Sequence, residues 1–349
     1  MKRIASLDYA RGFTVLMIAP IHSVMLYSAY SVRDTLLGSF LAFVAEWHGA
    51  QVFMLIMGIS FSFSKNQDFE SVFKKAAGLM VFAYGLNVFK FIIPHFFGWL
   101  PPTLLGLLQV EPGICGYKQL FLLGDILHFA AISLIILAII TEINKYEKVA
   151  IWIAIIICFT APPFWDATSD NSFINYSLEL LGGQPPRVFF PLLPWLVYPL
   201  LGLSIGKIIQ QKEDWLGFDS FWIPGFFLII VGFALKYFLR DPDFSSFYRT
   251  RPLDTIVHVG FVLIILSVWH WISINVKPNH LFKLFTYASR RITQIYIIQW
   301  ILICWLIPFT GYQRTGFIGT LFLIVLTSII TLTITLLTDF LKTENKIRK

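Results

Sequence analysis

The chain has 349 residues, 57% of them hydrophobic and 17% aromatic, with only 13% charged, about half the charged share of a soluble domain. Spread over the whole length, this composition excludes a soluble globule or a single-anchor ectodomain and points to a polytopic membrane protein. The net charge of +7 falls in short clusters between apolar runs. No basic domain or aromatic-basic module for nucleic acid is present, so the charge is read as topological.

A hydrocarbon core about 30 Å thick takes roughly 20 residues of helix. Cutting at charge clusters and Gly, Pro and Asn punctuation predicts ten spans, near 9–30, 38–64, 72–97, 120–142, 147–165, 188–209, 219–239, 252–274, 283–307 and 316–341. An even number puts both termini on one side. With that side as the cytoplasm, inner segments collect 15 of the 27 Lys and Arg residues and outer loops only seven, as the positive-inside rule requires. The expected architecture is a single domain over 1–349, an all-α bundle of about ten transmembrane helices with both termini cytoplasmic. Helices are dictated because lipid offers the backbone no hydrogen bonds.

The first span follows Met1-Lys2-Arg3, yet Asp8 and Arg11 interrupt it and no small-residue cleavage site precedes the second span. It is read as a span and not a signal peptide. Ionisable groups at bilayer depth are functional candidates, since each costs about 2.5–3.5 kcal/mol even on lenient scales. Arg11 and His22 share a stripe of the first helix, about 16 Å apart along its axis. Arg11 is read as an anion holder near the inner interface and His22 as a general base further out; the structural alternative is a snorkelling Arg paired with Asp8.

The second span carries Glu46, His48 and Gln51 in its outer half. Asp125 and His128 open the fourth span at i and i+3, and Asp254 and His258 the eighth at i and i+4, placing each carboxylate on the face of its imidazole. Either pair alone reads as a structural hydrogen bond; with His22 and Glu46 they suggest one polar chamber for acid–base chemistry near neutral pH. On the ninth span Arg290 and Arg291 lie above Lys283, followed by Gln294, Tyr296 and Gln299 deeper in. One arginine is expected to reach an internal anion, since its planar fork suits phosphate oxygens. Cys115, Cys158 and Cys304 lack metal-ligand spacing, and no metal is expected.

The segment 3–12, Arg-Ile-Ala-Ser-Leu-Asp-Tyr-Ala-Arg-Gly, followed by His22, resembles the opening of the transmembrane acyltransferases of family 3, and Gly49 to Gly58 is similar to that family's second-helix pattern. Gly124-Asp-Ile-Leu-His128, the run Phe190 to Trp195 leading to Gly202 and Gly206-Lys207, and Tyr296-Ile-Ile-Gln-Trp300 resemble the related bacterial group that shares its membrane domain with heparan-alpha-glucosaminide N-acetyltransferase. The resemblance implies acyl transfer, acetyl above all, from cytoplasmic acetyl-CoA to an amine or hydroxyl of a carbohydrate beyond the inner membrane of a bacterium. It assigns catalysis to His22 and donor positioning to Arg11; the polar chamber adds Asp125, His128 and Glu46 as supporting acid–base groups. Read from charge and depth, Arg290 and Arg291 join Arg11 in donor binding, and His48, Gln51, Trp195, His258, Tyr296 and Gln299 are the acceptor-binding candidates. Two positions depart from relatives: the lysosomal enzyme has Asn at the position of His22, and Gln299 stands where relatives often have His. The expected partners are acyl-CoA, a carbohydrate and the bilayer, with a homodimer left open and no nucleic acid. A proton-coupled transporter or flippase of a saccharide or lipid-linked saccharide is the competing reading, because it too uses buried His, Asp and Arg.

Overall fold

A computed structural model describes residues 4–211, 220–241 and 243–347; Lys2, Arg3, Lys212, Arg348 and Lys349 of the inner-charge tally, and the start of the span at 219, lie outside them. Among the described residues there is no strand, only the isolated bridges Ser28–Thr315 and Gly124–Val188. The main helices are α1 (Ala5–Tyr27), α2 (Leu36–Ser62), α3 (Phe69–Phe96), α4 (Ile126–Thr141), α5 (Tyr146–Thr160), α6 (Leu192–Gln211), α7 (Trp222–Phe238), α8 (Pro252–Asn275), α9 (His280–Ser289), α10 (Ile292–Thr310) and α11 (Phe317–Ile347). Seven of them, α1, α2, α3, α6, α8, α10 and α11, are long and apolar enough to cross a membrane. The other predicted spans become shorter helices: α4, α5 and α7 have 16, 15 and 17 residues. Two helices contain a π-helical turn, Val44–Gly49 in α2 and Val88–Ile92 in α3.

The ninth span is not the continuous helix expected. It breaks at Arg290–Arg291, where Arg291 leaves helical geometry (φ −121°, ψ 23°). Packing explains the break. Asn279 caps α9 through Phe282 N, and α9 then buries Phe282, Phe285, Ala288 and Ser289. Gly12 on α1 faces it so closely that a Cβ there would come 2.0 Å from the carbonyl oxygen of Phe285. Docked along α1 in this way, α9 ends and α10 starts anew.

Contacts divide the chain into two compact units. The first comprises Met1–Glu46, Leu86–Phe121 and Val276–Lys349, built on α1 against α9, α10 and α11. Hydrogen bonds within it fix the second half of α1: Ser23 meets Thr327 at 3.0 Å and the Tyr27 hydroxyl donates to Ile303 O at 2.7 Å. The second unit comprises Trp47–Gly85 and Leu122–Asn275, where the later half of α2 lies along α6 and α7 along α8. Small residues allow that approach, as membrane helices generally require. A Cβ at Gly58 would sit 2.1 Å from Pro199 O and one at Gly202 2.0 Å from Leu55 O.

Candidate active site

His22 is held by α10. Its Nδ1 lies 3.1 Å from Gln299 Oε1, and the buried Gln299 donates its own Nε2 to Tyr296 O at 3.1 Å. The second bond decides the first. With the amide nitrogen committed to a carbonyl, the amide oxygen faces the imidazole and can only accept, so Nδ1 carries the proton and Nε2 the basic lone pair. The ring rests on Trp300, centroids 3.9 Å apart at 30°, and Tyr296 meets the same indole edge-on at 6.5 Å. Gln299, expected among the acceptor-binding groups, is thus bonded to the histidine.

At the other end of the same unit, Arg11 Nη2 donates to Asp8 Oδ1 at 2.9 Å, and Asp8 also accepts from Ser289 Oγ at 2.8 Å. The two ninth-span arginines separate. Arg291 Nε donates to Asp339 Oδ2 at 2.6 Å, an oxygen that also accepts from the Tyr287 hydroxyl at 2.9 Å. Arg290 is exposed and lines a cleft of about 260 Å³ with Tyr9, Phe282, Lys283, Thr286 and Tyr287. The rings of Tyr9 and Phe282 pack at a tilt along it, centroids 4.6 Å apart and planes at 35°. Burial, with the Asp339 carboxylate adding to it, pushes the Tyr287 hydroxyl up to about 12, so it stays neutral. Glu46 sits on an exposed face of the π-helical turn of α2.

In the second unit the acid–histidine pairs take structural forms. Asp125 caps α4 by accepting from Ile126 N at 2.7 Å, while its own N–H donates to His128 Nδ1 at 3.1 Å. That capping box puts the proton of neutral His128 on Nε2, a donor position. The carboxylate of Asp254 is engaged by Lys236 Nζ and by Ser245, N–H at 2.9 Å and Oγ at 2.5 Å, and not by the His258 ring that the i, i+4 spacing suggested. His258 packs against Trp47 and Phe244, centroids 4.7 and 6.2 Å away. His48 Nε2 accepts from Trp269 Nε1 at 2.9 Å, and Gln51 is buried on the same helix. Trp195 donates to Tyr248 O at 3.0 Å and packs among Phe190, Phe247 and Tyr198, so it is a wall of the fold. Among the described residues no group of three His, Cys, Asp or Glu side chains is placed to hold a metal.

Sequence reasoning missed three cations. Lys90, 4% exposed, lies in the π-helical turn of α3 with Nζ 4.5 Å from the Trp300 ring centroid. Lys236 pairs with Asp254, both essentially inaccessible. Arg249 donates to Asp166 and to the carbonyls of Gly182 and Gly183. Lys90 and Lys236 were legible as solitary lysines in apolar runs, where the cost of a charge at bilayer depth applies as fully as it does to Arg11.

The family model for the catalytic region of heparan-alpha-glucosaminide N-acetyltransferase matches residues 3–240, more than half of the chain, taking in His22, Lys90, Asp125, His128 and Trp195. No curated protein and no solved structure matches.

Proposed function

This chain belongs to the heparan-alpha-glucosaminide N-acetyltransferase catalytic family, and on that premise we propose that it transfers an acetyl group from cytoplasmic acetyl-CoA to a carbohydrate amine or hydroxyl across a bacterial inner membrane. His22 is the general base. The observation that carries this reading is the Tyr296 O–Gln299–His22 relay, which presents Nε2 as the basic nitrogen. A thioester is already activated, so the protein has to align donor and acceptor, remove one proton and stabilise an oxyanion.

The basic cleft suits the donor's nucleotide end. Arg290 and Lys283 meet its phosphates there. From Tyr9 to His22 along α1 is about 20 Å at 1.5 Å per residue, a distance a pantetheine arm spans. Arg11, braced by Asp8, stands just above the cleft on the same helix.

The test is acetyl-CoA binding and turnover by the detergent-purified chain. His22→Ala keeps donor binding and loses about 10²–10⁴-fold in kcat. Arg290→Ala weakens donor binding, whereas Arg291→Ala, which removes only a partner of Asp339, leaves it near wild type. A folded wild type that neither binds nor turns over acetyl-CoA sinks the proposal; saccharide uptake into liposomes without covalent change then establishes the transporter reading.

A further inference from the structure

A buried indole N–H as a rule finds an acceptor, because a donor left unpaired away from water carries the full cost of its desolvation. Trp195 and Trp269, both buried, follow the rule and donate to Tyr248 O and His48 Nε2. Trp300 does not. Its Nε1 is inaccessible and meets no acceptor among the described residues, although the ring itself is closely engaged. His22 lies against it at 3.9 Å and 30°, the Lys90 ammonium stands 4.5 Å from its centroid, and Tyr296 meets it edge-on at 6.5 Å. The His22 ring and the ammonium engage the π system, whereas the N–H lies in the plane of the ring, and indole nitrogen can only donate. Trp165 Nε1 in the second unit is also without an acceptor, but the group over its ring is the Arg249 guanidinium at 5.6 Å and not a base. At Trp300 the unused donor and the base share one stack. Gln299 and Trp300 are consecutive, so a single turn of α10 both sets the tautomer of His22 and places this N–H beside it.

We propose that the Trp300 indole N–H is an oxyanion donor of the transfer reaction, taking the acyl carbonyl oxygen while His22 takes the acceptor's proton. The proposal rests on the acetyltransferase reading. Base and donor each work across about 3 Å, and the atoms they serve are bonded to one tetrahedral carbon. Rings with centroids 3.9 Å apart keep their rim nitrogens within that combined reach. In the first step His22 Nε2 removes the proton of the acceptor O–H or N–H as the acceptor atom bonds to the carbonyl carbon. The carbonyl π pair moves onto oxygen, which accepts the Trp300 N–H; the indole keeps its proton. In the second step the C=O bond re-forms and the C–S bond breaks. The pair leaves on sulfur, which takes the proton back from the His22 imidazolium to give the free thiol of CoA. A neutral N–H holds an oxyanion far better than the carbonyl oxygen of the thioester, so loss of the donor is read in kcat and not in donor affinity.

The experiment compares the full chain as wild type, as Trp300→Phe and as Trp300→β-(3-benzothienyl)alanine, a side chain with the shape of tryptophan and sulfur in place of the N–H. Kinetics of acetyl transfer and calorimetric binding of acetyl-CoA are measured, with thermal unfolding as the check on folding. The benzothienyl variant keeps the stack on His22 even if Trp300→Phe fails to fold. It is expected to lose about 10²–10³-fold in kcat, the usual cost of one oxyanion donor, with the donor Kd at the wild-type value, and a folded Trp300→Phe loses at least as much. Wild-type kcat in the benzothienyl variant overturns the proposal, whatever Trp300→Phe does, because the ring and not its N–H is then what counts. A donor Kd that rises in step with the loss of kcat overturns it as well, since the indole then serves donor binding. His22→Ala keeps the two readings apart. Transfer by wild type that His22→Ala abolishes leaves the acetyltransferase reading standing whatever position 300 shows, and a folded wild type without transfer takes both down.

Discussion

A glutamine amide can face a histidine with either end, and at His22 the choice is made three residues away, at the carbonyl of Tyr296. Because that carbonyl accepts the amide N–H, the ring is left facing oxygen and its tautomer is set. Gln299→Ala removes the setting without removing the base. It is expected to lower kcat about a hundredfold through misorientation and leave the donor Kd unchanged. Gln299→Glu, whose carboxylate also accepts from Nδ1, retains most of the rate. Wild-type kcat in Gln299→Ala would show that the relay has no part in catalysis. The relay was only partly legible in the sequence. His22 stood out as an ionisable group in an apolar run, and Gln299 as a polar residue at depth in the ninth span, but the bond joining residues 277 apart needs the packing of α1 on α10.

Helix pairing in the second unit depends on positions without side chains and on one buried ion pair. Gly202→Leu forces its Cβ onto the backbone of α2, an overpacking that costs about 1–3 kcal/mol or more. Gly78→Ala, where nothing lies within 4 Å, leaves the melting temperature unchanged, and equal losses at both positions would overturn the close-packing account. Between α7 and α8, Lys236 Nζ reaches both Asp254 and the carbonyl of Asp243, and Ser245 completes the carboxylate's partners. This ties the connection after α7 to the start of α8. Lys236→Met strands a buried carboxylate and costs about 3–5 kcal/mol, whereas Lys236→Met with Asp254→Leu recovers much of it, since a buried pair adds little over an apolar one. Thermal unfolding of the two variants checks this; a double variant no better than the single would show that the charges stabilise beyond their mutual compensation. At this scale the sequence was informative about helices and poor about their interruptions. Apolar length marks each helix, but nothing in it marks the π-helical turns as such, although Glu46, His48 and Lys90 stand out within them. The break at Arg290–Arg291 comes from Gly12 drawing α9 onto α1, a contact 273 residues apart in the chain.

Topology turns on the three short helices. With α4, α5 and α7 crossing, the spans are even and both termini share the cytoplasmic side; with none of them crossing, the seven long helices would part the termini. Helices of 15 to 17 residues span about 23–26 Å at 1.5 Å per residue, short of a core about 30 Å thick but within reach of local bilayer thinning. For α5 the 3₁₀ turn Pro162–Phe164 adds further length. Charge supports crossing, because Lys145 stands between α4 and α5 and Lys148 in the first turn of α5, where the positive-inside rule wants a cytoplasmic turn. Cys115, exposed between α3 and α4, is expected to react with a membrane-impermeant maleimide from outside the cell. Asn144→Cys, at an exposed position between α4 and α5, reacts from the cytoplasmic side in a Cys115→Ser chain. Labelling of both from outside would make α4 and α5 re-entrant and reduce the crossings to eight. Donor and acceptor sidedness depends on the same orientation: inside-out vesicles, which present the Arg290 cleft to the medium, take up acetyl from added acetyl-CoA, and right-side-out vesicles do not.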